Sequence, residues 1–182
     1  EKVAVIGVHG GRSEGYEWVY PLTKLDQSDR LTLFYRWDDR SCFLSSALKL
    51  NQEILFLLEG NPTIEKIVLL GHSYGGILLT WFIENWTSNT PIEVHTIASP
   101  LAGLDSISNS CNYVPPKKRN KNVKSVQWKT IKTLDNAFKD LSYDPQLINF
   151  KGHEVHNLPD KYKGKRLGHN WSVSYVADEI IF

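Results

Sequence analysis

The chain has 182 residues, of which 41% are hydrophobic and 23% are charged, and its formal net charge is +1. This length suggests one domain, or two very small ones, and is sufficient to bury a core. The near-neutral charge gives no argument for a nucleic-acid partner. No apolar stretch approaches the roughly 20 residues of a membrane span.

Six short β-type runs alternate with helical patterns along the chain. The first and third runs are almost wholly apolar, as expected of parallel strands buried on both faces. Apolar residues at helical spacing predict helices over 43–58, directly after residue 73, and over 173–181. The alternation predicts an α/β fold, a three-layer α/β/α sandwich with a mainly parallel sheet. Its predicted strands lie at 2–10, 31–37, 66–73, 93–100, 126–134 and 150–158.

The stretch GHSYGG at 71–76 stands between the third run and the helix that follows it. A G-x-S-x-G pattern between a strand and a helix is typical of a nucleophile elbow, a sharp turn that presents its serine. Gly71 and Gly75 are expected there, because larger side chains would collide with the strand and the helix, and Gly76 would let the helix approach the sheet. Backbone N–H groups at the start of that helix favour developing negative charge. Ser73 is therefore the predicted nucleophile.

A serine hydroxyl needs a base, an orienting acid and donors for the oxyanion. The predicted base is His169, in the loop LGHNWS between the last strand and the last helix. His72 is expected to be locked inside the elbow, and His9 to fix its own loop by a hydrogen bond. The remaining histidines are interpreted as core or edge residues of strands, with His156 the next candidate for the base: His95, His153 and His156.

The acid is predicted to be Asp135, which follows the fifth run directly in TIKTLDNAF. Asp140 and Asp144 are rivals, and Asp105 is a more distant one. Asp135 could instead cap a helix beginning at Asn136. For the oxyanion, the first run ends in VHGGR, and the backbone N–H groups of Gly11 and Tyr74 are the predicted pair of donors.

These motifs resemble those of the α/β-hydrolase superfamily, specifically its compact lipase/esterase-like members. The likeness extends over nearly the whole chain and rests on VIGVHGG, IVLLGHSYGG, TLDNAF and RLGHNWS. It implies a minimal sheet of about six strands that lacks the first two strands of the full fold. It also implies a nucleophile at Ser73, an acid at Asp135 and a base at His169, with oxyanion donors at Gly11 and Tyr74.

The resemblance also frames two structural expectations. The connection 101–123 is too short for the large cap of many such proteins, so it is expected to be a cap-like loop with one short helix on a single domain spanning 1–182. The implied strand order separates the strands before Cys42 and Cys111 by two others. Strands about 4.8 Å apart would leave these ends roughly 14 Å from each other, so no essential disulfide is expected. A Cys42–Cys111 bond stays the alternative, since the loops after these strands could close the gap by crossing the mouth of the predicted active site.

The predicted function is hydrolysis of a small-molecule carboxylic ester through an acyl-enzyme, without a metal or organic cofactor. A thioesterase or acyltransferase using the same residues is an alternative, and a non-catalytic hydrolase-like binding protein is another. The predicted partner is the ester substrate, with no nucleic acid and no integral membrane segment. The oligomeric state stays open, as does the choice between the cytoplasm and export after removal of a signal peptide.

Overall fold

Six parallel strands form the central sheet of the computed structural model, which describes residues 2–182. Their spatial order is β2-β1-β3-β4-β5-β6, and every neighbouring pair is parallel. The predicted α/β class and six-stranded sheet are therefore confirmed. The strands are β1 Val3–Val8, β2 Arg30–Tyr35, β3 Lys66–His72, β4 Ile92–Ile97, β5 Val123–Lys129 and β6 His153–Asn157.

Helices cover both faces of this sheet, with α2 and α3 on one face and α1 and α5 on the other. The predicted helices over 43–58, after residue 73 and over 173–181 are confirmed within about two residues at each end. A two-stranded hairpin, β7 Lys161–Tyr162 with β8 Lys165–Arg166, precedes the last helix. Within residues 2–182 the helices are α1 Tyr16–Leu25, α2 Phe43–Gly60, α3 Tyr74–Asn85, α4 Asp105–Cys111 and α5 Ser172–Glu179. None of them is long and apolar enough to cross a membrane.

Strand β3 shows why the sequence folds into three layers. Its Ile67 and Leu69 belong to the core under α2 and α3, whereas Val68 and Leu70 belong to the core under α1 and α5. Alternate side chains of a strand point to opposite faces, so an uninterrupted apolar run serves both cores. Full burial of one such side chain contributes about 1.5–3 kcal/mol to folding.

The strand register aligns the carboxyl ends that carry the candidate functional residues. Val8 of β1 pairs with Gly71 of β3, and Ile97 of β4 pairs with both His72 of β3 and Trp128 of β5. The segments that follow these strands therefore meet at one edge of the sheet, where ligands of open α/β sheets bind.

Strand β5 differs in extent from its predicted run over 126–134. β5 begins at Val123 and ends at Lys129, six residues before Asp135, and a 3₁₀ turn at Lys132–Leu134 fills part of the gap. No helix begins at Asn136; the segment 136–140 is a series of turns. Asp135 therefore does not follow its strand directly and does not cap a helix beginning at Asn136.

The expectation of no essential disulfide is wrong, because Cys42 and Cys111 are bonded with their Cα atoms 5.3 Å apart. The strand order behind the expectation is correct, but the connections after the strands close the distance. Cys42 lies seven residues beyond β2, immediately before α2, and α4 in the connection 101–123 carries Cys111 across to it. The short helix expected in that connection is α4.

Candidate active site

Ser73 lies on a sharp turn between β3 and α3 and has a left-handed backbone, with φ 53° and ψ −119°. Such a conformation is costly for a residue with a side chain and is found most often at functional sites. Its own N–H donates to Ile97 O at 2.8 Å, and its C=O accepts from Gly76 N–H at 3.0 Å. The neighbouring strand β4 and the helix α3 therefore hold the turn in place.

The glycines of the motif are required by close approach on both sides of the turn. A Cβ atom on Gly71 would lie 2.7 Å from the carbonyl oxygen of Gly75. A Cβ atom on Gly75 would lie 2.3 Å from the carbonyl oxygen of Val8, at the end of β1. These are the collisions that the sequence reasoning expects of a nucleophile elbow.

The loop after β1 packs directly against this turn. A Cβ atom on Gly10 would lie 3.0 Å from the Cβ of Ser73. His9 is fully buried, and its Nε2 accepts from the Trp37 backbone N–H at 3.1 Å while Trp37 Nε1–H donates to His9 O at 2.9 Å. Further along the same loop, the backbone N–H of Arg12 donates to the carboxylate of Asp39. Both anchors fix the loop that carries Gly11.

Gly11 and Tyr74 both lie near Ser73. Gly11 lines the same cavity as Ser73. Tyr74 is the first residue of α3, and the N–H groups of a first helical turn have no partner within their helix. The N–H groups of Gly11 and Tyr74 therefore stay the candidate donors to an oxygen bound at Ser73.

Asp135 and His169 are brought together by the loops after β5 and β8. His169 Nδ1–H donates to the Asp135 carboxylate at 2.9 Å, and the ring of Phe138 meets the imidazole edge-on at 5.3 Å between centroids. Asp135 is fully buried, and its carboxylate also accepts from Thr130 Oγ1 at 2.6 Å and from Ala137 N–H at 2.9 Å. Because Nδ1 carries the proton, Nε2 of His169 is left as the basic nitrogen.

The rival aspartates lie elsewhere. Asp144 forms an ion pair with Lys129 at 2.9 Å, which with backbone and side-chain bonds from Gln146 holds its pKa below the ordinary value in spite of partial burial. Asp140 is exposed on the turns after Asp135, and Asp105 is exposed at the start of α4. Asp135 is thus the aspartate that contacts His169.

His72 supports His169 through its backbone. Its Nε2–H donates to His169 O at 2.9 Å, and Ser172 Oγ donates to the same oxygen at 2.6 Å. Burial, helped by the nearby His169 ring, lowers the pKa of His72 to about 3. The ring is therefore neutral, as its place inside the turn leads one to expect.

The other histidines contact residues other than Ser73 and Asp135. His95 is buried, and its ring contacts Glu93 and Trp128 at 3.0 and 3.1 Å. His153 contacts Ser125 and Gln127 at 2.9 and 3.0 Å. The ring of His156 stacks on Trp128 with 4.5 Å between centroids.

A cavity of about 320 Å³ connects the nucleophile and base candidates. Its wall includes Ser73, His72, His169 and the loop Gly10–Glu14. In residues 2–182, Ser73 Oγ makes no hydrogen bond to His169. Such bonds are often long without substrate and tighten in the reacting complex.

Several residues of the site escape sequence reasoning. Thr130 and Gln146 surround the acid: Gln146 Oε1 accepts from Thr130 N–H, and its Nε2–H donates to Thr130 O, both at 3.0 Å. No local motif marks this pair, which is separated by sixteen residues. Among the tryptophans, Trp18 and Trp37 are core residues, whereas Trp171 lines a second cavity beside His169.

No protein-family model matches the chain, and no curated protein is significantly similar to it. Solved structures do resemble it. One, described as a cell surface hydrolase from Lactobacillus plantarum WCFS1, has a TM-score of 0.59 at 14% identity, covering 98% of this chain and 91% of that one. Another, described as a YdeN-like hydrolase from Pectobacterium atrosepticum, has a TM-score of 0.53 at 12% identity and covers 97% of this chain and 90% of its own. A cutinase-like protein from Cryptococcus sp. has a TM-score of 0.50 at 11% identity and covers 69% of this chain and 75% of its own.

Identities this low establish shared architecture and leave activity open. The first two of these matches extend over almost the entire chain. The chain therefore has an α/β-hydrolase fold with a minimal, six-stranded parallel sheet.

Proposed function

We propose that the protein is a serine hydrolase that cleaves carboxylic esters through an acyl-enzyme. One observation carries the proposal: His169, hydrogen-bonded to the buried carboxylate of Asp135 at 2.9 Å, lines the same cavity as Ser73 on its left-handed backbone. This combination supplies a nucleophile, a base and an orienting acid in the chain order Ser, Asp, His.

In the first half of the reaction, Ser73 Oγ attacks the ester carbonyl and His169 Nε2 takes the hydroxyl proton. The tetrahedral intermediate collapses when the bond to the alcohol oxygen breaks and His169 returns the proton to that oxygen. In the second half, His169 Nε2 takes a proton from water, which attacks the acyl carbon. The bond from that carbon to Ser73 Oγ then breaks, His169 returns the proton to Ser73 Oγ, and the acid is released. Asp135 holds the imidazole in the required tautomer and stabilises its charged form.

The Gly11 and Tyr74 N–H groups donate to the oxyanion of both tetrahedral intermediates. A fixed donor of this kind typically contributes about 10²–10³ in kcat. Support for the geometry comes from the loop Gly10–Glu14, which packs on the turn and is anchored at His9 and at Arg12 N–H.

Hydrolysis is favoured over acyl transfer by the openness of the site to water. Ser73 is only half-buried, and the neighbouring Gly11, Arg12 and Glu14 are exposed. Acyl transfer requires that water be excluded from the acyl-enzyme. The Cys42–Cys111 disulfide additionally supports an oxidising compartment for this activity, since disulfides persist there.

The proposal is tested by measuring p-nitrophenyl acetate hydrolysis for Ser73→Ala, His169→Ala and the double variant. Each single variant should lose at least about 10³ in kcat, and the double variant should be little worse, because members of one catalytic unit are not additive. Circular dichroism checks that the fold is retained. Activity of Ser73→Ala above about a tenth of the parent would contradict the proposal.

A further inference from the structure

Resting on the proposed ester hydrolysis, we propose that the substrate joins a short acyl chain to a hydroxyl-rich alcohol and is not a long-chain lipid. Two cavities border His169, each of about 320 Å³. Any group bound to Ser73 must extend into the space they offer. Their side chains therefore indicate the chemistry of the substrate.

The first cavity, which contains Ser73, is lined mostly by polar and charged side chains. Arg12, Glu14 and Glu17 contribute charges, and Asn170 contributes an amide. Tyr16 is 78% exposed, so its ring is available at the entrance. Such an aromatic side chain presents an apolar face together with a hydroxyl group.

The second cavity lies on the other side of His169 and has similar chemistry. Asn136, Arg166 and Asn170 line it, with Trp171 as its large aromatic residue. Both cavities thus combine an arginine, an asparagine and an aromatic ring beside the base.

The two guanidinium groups are free to bind a ligand. Within residues 2–182, neither Arg12 nor Arg166 has a carboxylate within ion-pair distance. Glu17 accepts a hydrogen bond from Ser13, and Glu14 is exposed. The cavities therefore offer both donors and acceptors, and a hydroxyl group is the ligand that uses both.

A long acyl chain would be poorly matched to these walls. It would strip water from guanidinium and carboxylate groups without replacing their hydrogen bonds, which is unfavourable. An acetyl or similarly short acyl group would cover few of these charged groups. The polarity of the walls thus disfavours lipids.

A predominantly apolar groove is located elsewhere in the described residues. It has a volume of about 350 Å³ and lies between β2 and α2, where Leu33, Leu57 and the 75% exposed Phe56 line it. None of its lining residues lines either cavity beside His169. An acyl chain attached to Ser73 is therefore not accommodated by this groove.

The test begins with fluorophosphonate labelling of Ser73, which establishes an active nucleophile independently of the substrate. Values of kcat/KM are then measured for p-nitrophenyl acetate, butanoate and octanoate, together with acetate release from an acetylated monosaccharide and fatty-acid release from an emulsified triglyceride. An apolar acyl site would raise kcat/KM by about fourfold for each added methylene. We expect instead a fall of at least about tenfold from butanoate to octanoate, saccharide deacetylation and no triglyceride hydrolysis.

Variants locate the specificity. Glu14→Leu with Arg166→Leu should lower kcat/KM for the acetylated saccharide and raise the octanoate-to-acetate ratio, while Phe56→Ser in the remote groove serves as the matched control and should change neither. A labelled enzyme that prefers octanoate, or a Phe56→Ser variant that selectively loses octanoate activity, would overturn the inference. Failure of Ser73 to label would instead contradict the proposed function, and the inference with it.

Discussion

The carboxylate of Asp135 is fully buried, which is unfavourable unless its oxygens are hydrogen-bonded. Three donors satisfy it: Thr130 Oγ1, Ala137 N–H and His169 Nδ1–H, at distances from 2.6 to 2.9 Å. Gln146 in turn holds the backbone of Thr130 through two hydrogen bonds. The proposed acid is therefore held in place by three hydrogen bonds, which is the condition for orienting an imidazole.

Replacing Asp135 by Asn should keep the fold and strongly reduce turnover. The amide would favour the wrong tautomer of His169, an effect of about 10⁴ in kcat in a well-characterised serine protease. Steady-state kinetics with p-nitrophenyl acetate measure the loss. Asp140→Asn, at an exposed position five residues away, is the control and should be nearly neutral. A large loss of turnover in Asp140→Asn, together with unchanged turnover in Asp135→Asn, would show that the acid has been misassigned.

Residues with a local motif are the ones that sequence reasoning could place. The turn around Ser73 is specified by its own glycines, and His169 by its loop after the last strands. Thr130 and Gln146 are ordinary polar residues in the sequence, and only the folded chain brings them to Asp135. Long-range hydrogen bonds of this kind leave no periodic or local signal.

At the scale of elements, the disulfide joins α4 to the start of α2 beside the proposed oxyanion donor. The Tyr74 hydroxyl lies 3.9 Å from Cys111 Sγ and donates to Ser41 O at 3.2 Å. Its ring packs on Trp37 and Phe43, with centroids 5.0 and 6.4 Å away. The cross-link thus braces the elements around the first residue of α3.

The paired substitution Cys42→Ser with Cys111→Ser should lower the free energy of unfolding by about 2–4 kcal/mol, because the bond closes a long loop in the unfolded chain. The two cysteines are 69 residues apart. Urea unfolding of the parent and the double variant measures the difference. Thiol titration under denaturing conditions is the control: no free thiol before reduction and two after it. Two thiols without reduction would contradict the disulfide.

Elements with strong apolar periodicity were predictable, and others were not. In α1, Trp18, Leu22 and Leu25 have helical spacing, but Pro21 inside the helix masks the pattern. The hairpin of β7 and β8 consists of two-residue strands, too short for any alternation to be seen. The disulfide depends on how far two connections reach beyond the sheet, which strand spacing alone does not determine.

For the whole molecule, buried neutral histidines predict a loss of stability in acid. The pKa of His72 is about 3 in the folded protein against 6.5 for an unperturbed side chain. Below pH 6.5 the unfolded chain therefore binds a proton that the folded protein does not, so stability falls as the pH decreases toward 3. The contribution of this one group is on the order of a few kcal/mol over that range.

The slope of the unfolding free energy against pH is proportional to the number of protons taken up on unfolding. The substitution His72→Gln should reduce that uptake by up to one proton per molecule and so make the decline shallower. Burial also lowers the pKa of His95 and of His153, so part of the decline should persist. Urea unfolding at several pH values between 7 and 4.5 gives the slope for each variant. His156→Gln, whose side chain is 49% exposed, is the comparison and should leave the slope nearly unchanged. An identical slope for His72→Gln and the parent would contradict a neutral His72.

The central claim is that His169 activates Ser73 for attack on a carbonyl group. The most direct test is mass spectrometry of the protein after treatment with a fluorophosphonate, followed by digestion to locate the adduct. We predict one adduct per chain, on Ser73, with labelling slowed by at least about 10³ in His169→Ala, since the hydroxyl then lacks its base. An unlabelled Ser73 in the folded parent, or equally fast labelling in His169→Ala, would contradict the claim.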